Sequence, residues 1–262
     1  MGKNTNLLLT CHKMPIFMAA ICLSALAHGD TKLPETLAKL KSSIVAVGTY
    51  LPKRNPRAVF LGTGFVVGGG RYIVTNAHVV PGSLDVVHLE KMAVFYRQGN
   101  EEKMLVATEA AMDKEHDLAV LKIAEPLPAL KLGDAGMVKE GQIYAFTGYP
   151  IGMVLGLYPV THRGMVSAIT PNVIPTISAG QINPKLLKRL EEPYTVFQLD
   201  ATAYPGNSGS PVYDVDSGAV VGVIDKVFIQ ESKENALTNP SGITYAIPIN
   251  HLGKLLKDNG LD

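Results

Sequence analysis

Gly206-Asn207-Ser208-Gly209-Ser210-Pro211, set between Phe197-Gln198-Leu199-Asp200 and Val212-Tyr213, is the stretch on which the rest of the chain turns. Two glycines flank a serine, so the backbone there can take up turns closed to residues with a Cβ. Such a turn aims Ser208 outward while the N–H groups of Gly206 and Ser208 point to one spot. An acyl-transfer nucleophile needs that layout: an exposed hydroxyl beside two donors for a developing oxyanion. Taken alone, the hexapeptide reads equally well as a Gly/Ser surface turn.

Working outward, the flanks are short β-rich runs. Before the hexapeptide they are Ser43–Thr49, Val59–Val67, Tyr72–Thr75, Asp85–His88, Ala93–Arg97, Met104–Ala107 and Leu118–Ile123, then Gln142–Gly148, Leu157–Ile169 and Thr195–Leu199. Pro211–Tyr213, Ala219–Ile229 and Gly242–Ile247 follow it. Gly68-Gly69-Gly70 and Pro81-Gly82 punctuate the joins, and regular short strands without intervening helical patterns predict an all-β barrel or sandwich. Leu33–Ser42 carries leucines at 33, 37 and 40 on one helical face, and Asn250–Asn259 reads as a C-terminal helix capped by Asn250. Asn183–Glu192 predicts a helical turn on a long loop, and Glu125–Gly141, with Pro126 and Pro128, a linker between two β halves.

The 262 residues are 47% hydrophobic and 18% charged, with a formal charge of +1. That balance belongs to a globular chain and excludes a basic nucleic-acid surface or a polybasic membrane patch. Residues 1–27 are different material. Lys3 and Lys13 precede the apolar run Met14–Ala27, which ends in Ala25-Leu26-Ala27, the pattern of a signal peptide cut before His28. The run is short for a spanning helix, so the mature chain is expected to be exported, periplasmic or secreted, without stable membrane insertion. Both cysteines, Cys11 and Cys22, fall in this leader, which leaves the mature chain without a disulfide.

A serine hydroxyl is a weak nucleophile that needs a base, itself oriented by a third group. Of the seven histidines, His78 ends the apolar run Tyr72-Ile73-Val74-Thr75-Asn76-Ala77. Asp117 opens the buried-looking run Leu118-Ala119-Val120-Leu121. Each has an ordinary structural reading by itself, a strand-end histidine and a strand-start aspartate. The order His, Asp, Ser excludes the α/β-hydrolase elbow, which also needs a glycine where Ser210 stands. No H-E-x-x-H, paired cysteines or calcium-loop spacing points to a metal, and no cofactor motif is present.

Read together, Thr75-Asn76-Ala77-His78-Val79-Val80, Asp117-Leu118-Ala119-Val120-Leu121 and the hexapeptide resemble the trypsin-like serine proteases, in particular the high-temperature-requirement (HtrA/Deg) branch. Gly62-Thr63-Gly64-Phe65, Gly148-Tyr149-Pro150-Ile151-Gly152, Arg163-Gly164-Met165-Val166-Ser167 and Tyr245-Ala246-Ile247-Pro248-Ile249-Asn250 resemble further segments of that family. The resemblance implies a chymotrypsin-like fold of two antiparallel six-stranded β-barrels with short N- and C-terminal helices. The first barrel would occupy 28–130 and carry His and Asp; the second would occupy 131–262 and carry Ser, with no PDZ domain after it. It also implies a triad of His78, Asp117 and Ser208, an oxyanion hole from the amides of Gly206 and Ser208, and no cofactor. Protein or peptide substrates, unfolded ones included, would be the partners. The alternative from another class is a non-catalytic chaperone or binding module on the same fold.

The resemblance also places a specificity pocket near Thr202 and Ala203, with Ile224 and Asp225 on its wall. Ser210 stands where the HtrA branch has glycine, a spelling similar to staphylococcal glutamyl endopeptidases, but Ile224 stands where those carry a histidine. Asp225 falls where relatives usually have a small hydroxyl residue near the triad aspartate. Facing Asp117, it would oppose two carboxylates and raise one pKa; facing the pocket, it would pair with a basic P1 side chain; facing outward, it would be a solvated charge.

Overall fold

The computed structural model describes Gly2 and residues 32–150, 156–172, 193–225 and 242–261. The predicted leader with Cys11 and Cys22, the turn at Asn183–Glu192, Ile151-Gly152 and the end of the Ala219–Ile229 run lie outside the described residues. Among the described residues, no helix is long and apolar enough to cross a membrane.

Twelve strands form two closed barrels. The first comprises β1 (Ile44–Tyr50), β2 (Ala58–Val67), β3 (Tyr72–Asn76), β4 (Lys91–Gln98), β5 (Glu101–Asp113) and β6 (Leu118–Ile123), closing in the order β1-β2-β3-β6-β5-β4. The second comprises β7 (Ile143–Gly148), β8 (Val160–Pro171), β9 (Thr195–Asp200), β10 (Pro211–Asp214), β11 (Val220–Ile224) and β12 (Ile243–Pro248), closing as β10-β11-β12-β9-β8-β7. Every pairing is antiparallel, and closure leaves neither sheet an open edge. Helices α1 (Leu33–Leu40) and α2 (Ile249–Asp258) precede and follow them. This is the chymotrypsin-like architecture implied by the resemblance.

The apolar runs are nearly unbroken because several strands are covered on both faces. On β1, Val45 and Val47 fill the first barrel with Val66, Ile73, Val94 and Leu121. Ile44 and Ala46 face the other way and join Phe65, Tyr149, Tyr213, Val223 and Ile247 in a cluster drawn from both barrels. Leu252 and Leu256 of α2 complete that cluster. Polar bonds also cross the junction: the Tyr149 hydroxyl after β7 donates to Ile44 O at 3.2 Å, and burial pushes its pKa up to about 12.

Three expectations need correction. Asp85–His88 is a 3₁₀ turn instead of a strand: the Asp85 side chain accepts from His88 N at 3.1 Å, and Leu89 follows with φ 65°. An Asp that can cap its own turn competes with strand pairing. The helix at the end begins at Ile249 behind Pro248, with no side-chain cap, so Asn250 is not its cap. β5 extends from Glu101 to Asp113, well beyond Met104–Ala107: Glu101–Lys103 pair with Tyr96–Gln98 and Thr108–Asp113 with β6, although the outward face is charged and exposed.

Candidate active site

The β3–β6 register places the first two candidate residues. Pairing runs from Tyr72↔Lys122 to Asn76↔Leu118, so His78 and Asp117 lie just outside the matched ends. Two bonds clamp that junction: Ala77 N–H and Asn76 Nδ2 each donate to Asp117 O at 3.0 Å. Asp117 has φ 54°, an uncommon conformation for a residue with a side chain, and it turns the carboxylate back onto His78. Asp117 Oδ2 lies 2.5 Å from His78 Nδ1, and Oδ1 accepts the His78 N–H at 3.0 Å. Burial pushes the Asp117 pKa up, but hydrogen bonds from His78, its charge and a side-chain hydrogen bond with Asp225 outweigh that, holding it below the usual 3.8. With Nδ1–H donating to the carboxylate, His78 Nε2 keeps its lone pair.

Ser208 comes from the second barrel, on the loop between β9 and β10. Its carbonyl accepts Thr63 N–H at 2.8 Å, which ties the loop to β2. A Cβ on Gly62 would lie 2.9 Å from Ser208 O and 2.7 Å from the side chain of Val79, the residue after His78. The His78 and Ser208 segments therefore converge at the junction of the barrels. Within the loop, Asn207 N–H donates to Tyr204 O, Ser210 N–H to Asn207 O and Gly209 N–H to Ile224 O, at 2.9, 2.9 and 3.0 Å. Peptide planarity then turns the Ser208 N–H away from the bonded Asn207 carbonyl. Neither the Gly206 nor the Ser208 amide has a backbone acceptor among the described residues.

Two glycines make this loop possible. Gly209 has φ 87°, and a Cβ there would meet Thr63 O at 2.1 Å, so no side chain fits. Gly148 leaves the space that Ser210 occupies: its own Cβ would stand 2.0 Å from Ser210 Oγ. The serine at 210 is thus fully buried in the fold, as is Asn207.

Thr63 is a site residue with no role assigned to it from the sequence alone. Its hydroxyl donates to Gly206 O at 2.7 Å and accepts Tyr149 N–H at 2.9 Å, fixing the peptide that follows the first candidate donor. The one available signal was a hydroxyl between two glycines on a buried strand. Thr63→Val is expected to leave two buried groups unpaired and cost about 2–4 kcal/mol of stability, measurable by denaturant unfolding. A cost under about 0.5 kcal/mol would show that the loop does not depend on this tie.

The four predicted pocket residues separate. Thr202 is half-buried, and Ala203 is 2% exposed, with its N–H donating to Thr244 Oγ1 at 3.0 Å. Ile224 is 0% exposed, packed in the second barrel with Phe146, Phe197 and Leu199. Asp225 is brought to the His78–Asp117 pair: one ligand-type atom from each of the three lies within 4.8 Å of the others.

The residue before Asp117 belongs to a second cluster. His116 Nδ1 is 2.6 Å from Asp113 Oδ2, and its ring stacks on His251 of α2 at 4.0 Å, with Tyr194 against both. Burial, then the charge of His116, lowers the His251 pKa from 6.5 to about 4. The unfolded chain therefore takes up this proton first; the stability it confers is full above pH 6.5 and is lost as pH falls toward 4. His251→Phe is expected to flatten that part of the Tm–pH curve by about 2–4 °C, partial exposure having trimmed the effect. An unchanged curve would show that His251 is not its source.

A family model described as a trypsin-like peptidase domain matches residues 62–223, more than half of the chain. The chain belongs to the trypsin-like peptidase family. His78, Asp117 and Ser208 all fall inside the matched span. Among curated relatives of this peptidase domain, proteins of Marinomonas sp. and Halomonas elongata, each named "Probable periplasmic serine endoprotease DegP-like", are 32% identical over 203 residues and 34% over 190. Those alignments cover 77% and 72% of this chain but 36% and 33% of the relatives. A "Serine protease HtrA-like" protein of Staphylococcus epidermidis is 32% identical over 204 residues, 76% of this chain and 30% of its own. The chain spans about a third of the length of the curated relatives it matches. A solved structure, "HtrA-type protease AlgW with decapeptide", superposes with a TM-score of 0.64 at 22% identity, covering 87% of this chain and 67% of that one, and shows the same fold.

Proposed function

We infer that this trypsin-like peptidase domain is a serine endopeptidase acting on protein substrates in an exported compartment. The observation that carries the reading is the His78–Asp117 contact of 2.5 Å, presented at the barrel junction to the loop that bears Ser208. In the reaction, His78 Nε2 takes the Ser208 proton as Oγ attacks the peptide carbonyl, then returns it to the leaving amine. Asp117 holds the imidazole in the required tautomer and stabilises the imidazolium. The Gly206 and Ser208 amides receive the oxyanion; one such donor is worth about 3 kcal/mol. Water then hydrolyses the acyl-enzyme by the same proton route. No step requires a metal or cofactor.

The names of the DegP-like relatives support a periplasmic location, and Ala27-His28 is the proposed processing bond. Mass spectrometry of the protein purified from its host is expected to find an N-terminus at His28. An intact Met1 terminus in membranes would contradict export by cleavage.

For specificity, the proposed pocket offers no charge at Thr202 or Ala203, and Asp225 is engaged at the triad. A cationic P1 group buried without a partner costs several kcal/mol, whereas an aliphatic one gains about 0.8 kcal/mol per methylene. Cleavage-site profiling of a denatured protein digest is therefore expected to give small and medium aliphatic P1 residues. Predominantly basic P1 residues would overturn this and return Asp225 to the pocket. The extra carboxylate beside His78 also favours one rival, a binding module that keeps the fold without turnover. That module would bind unfolded polypeptide yet stay inert toward a serine-directed phosphonate.

A further inference from the structure

Two parts of the second barrel lead to Ser208: the chain that leaves β9, and the end of β11, where Ile224 O accepts the Gly209 N–H at 3.0 Å. β12 lies between β9 and β11 in the closed sheet and pairs with both, Thr244 with Leu199 and Ala246 with Ile224. The chain pairs with β12 as far as Asp200, opposite Ile243, and then folds back over the Thr244 side chain. Thr244 is fully buried, and its hydroxyl accepts the Ala203 N–H at 3.0 Å and donates to Ala201 O at 2.7 Å. Those are the two peptides on either side of Thr202, so one hydroxyl holds both limbs of an arch with Thr202 at its apex. β8 comes so close to the same arch that a Cβ on Gly164 would lie 2.7 Å from the Ala201 Cβ. The single hydroxyl hydrogen is donated to Ala201 O, which leaves Thr244 no donor for a group entering the pocket.

We propose that Thr244 is a positioning residue for substrate selection: its hydroxyl fixes the arch Ala201–Thr202–Ala203 and so sets the depth of the P1 pocket. The inference rests on the reading above that places this pocket at Thr202 and Ala203. An arch already held in place binds a fitting side chain without further ordering. Without the hydroxyl, the Ala201 carbonyl and the Ala203 amide lose their partner in a buried place and must shift to find others. A shifted arch no longer meets a small or medium side chain, and it makes room for a large one. Misfit of a single methylene in such a pocket changes selection about 10- to 200-fold, so a small displacement is enough to be read in kinetics.

The test compares wild type, Thr244→Val, which keeps the shape without the hydroxyl, and Thr244→Ser, which keeps the hydroxyl. The substrates are matched peptides that differ only at P1, carrying alanine, valine, leucine, phenylalanine or lysine. Thr244→Val is expected to lower the valine-to-phenylalanine ratio of kcat/KM about tenfold, through KM more than kcat, because His78, Asp117 and Ser208 are untouched. Thr244→Ser recovers most of that ratio. A Thr244→Val ratio within about twofold of wild type overturns the proposal. So does a loss shared equally by every P1 residue, which would mark the hydroxyl as a support of the fold alone, or a Thr244→Ser ratio as low as that of Thr244→Val. If Thr244→Val does not fold, Thr244→Cys, whose thiol makes only weak hydrogen bonds, takes its place under the same criteria. Failure of the pocket reading shows in wild type by itself, as a preference for lysine at P1; the lysine-to-phenylalanine ratio across the variants then decides for or against Thr244. Wild type that cleaves none of the peptides and takes no serine-directed label defeats the endopeptidase reading, and the proposal with it.

Discussion

Ser208→Ala and His78→Ala are each expected to lower kcat for casein hydrolysis by about four to six orders of magnitude, and the double substitution by little more. The effects do not add because the two groups act in one proton transfer: without the base the hydroxyl is inert, and without the hydroxyl the base has nothing to activate. The residual rate would come from substrate binding and the Gly206 and Ser208 amides. Neither substitution should harm the fold. Ser208 is held through its carbonyl by Thr63 N–H, and His78 through its own N–H, contacts that alanine keeps. Unchanged near-UV circular dichroism with lost turnover is the expected pair of results. Additive losses, with the double substitution far below either single one, would mean that the two residues act separately.

Asp117→Asn is expected to cost about 10⁴-fold in kcat with KM nearly unchanged. The amide nitrogen would present hydrogens to His78 Nδ1, so the imidazole would take the other tautomer, with its proton on Nε2 facing Ser208. The Asp117 backbone bonds to Ala77 N–H and Asn76 Nδ2 do not involve the carboxylate, so the β3–β6 junction survives the change. The loss should therefore appear in chemistry and leave Tm within a few degrees. A fall of less than about tenfold would show that Asp117 does not set the state of His78.

Much of the architecture was legible because these strands are buried on two faces. Ile44-Val45-Ala46-Val47 and Leu118-Ala119-Val120-Leu121 read as β without any help from alternation, and both lie where the pattern put them. The exposed parts were less legible. Glu101-Glu102-Lys103 belongs to β5 through pairing with Tyr96, Arg97 and Gln98, a long-range contact that local composition does not announce. At 85–88 the β-branched Val86 and Val87 suggested a strand, but Asp85 closes a turn on His88, and both valines are exposed.

The site divides in the same way. His78 and Asp117 stood out at the ends of apolar runs, and Ser208 in a turn between two glycines. The bend at Asp117, with φ 54°, and the hydroxyl bridge of Thr63 from Gly206 to Tyr149 depend on tertiary contacts, and only the placing of Thr63 between two glycines hinted at either. Asp225 was visible as an oddity, but three placements were open. Only the closing of β11 against β12, through its amide and Tyr245 O, set it against Asp117.

The central claim, that Ser208 is a nucleophile activated by His78, is tested most directly by covalent labelling. The protein is treated with diisopropyl fluorophosphate, and the intact mass and peptide map are measured. One adduct is predicted, on Ser208, formed in step with loss of activity and absent from Ser208→Ala and His78→Ala. Activity that survives with Ser208 fully labelled, or an inactivating adduct on any other residue, would contradict the account.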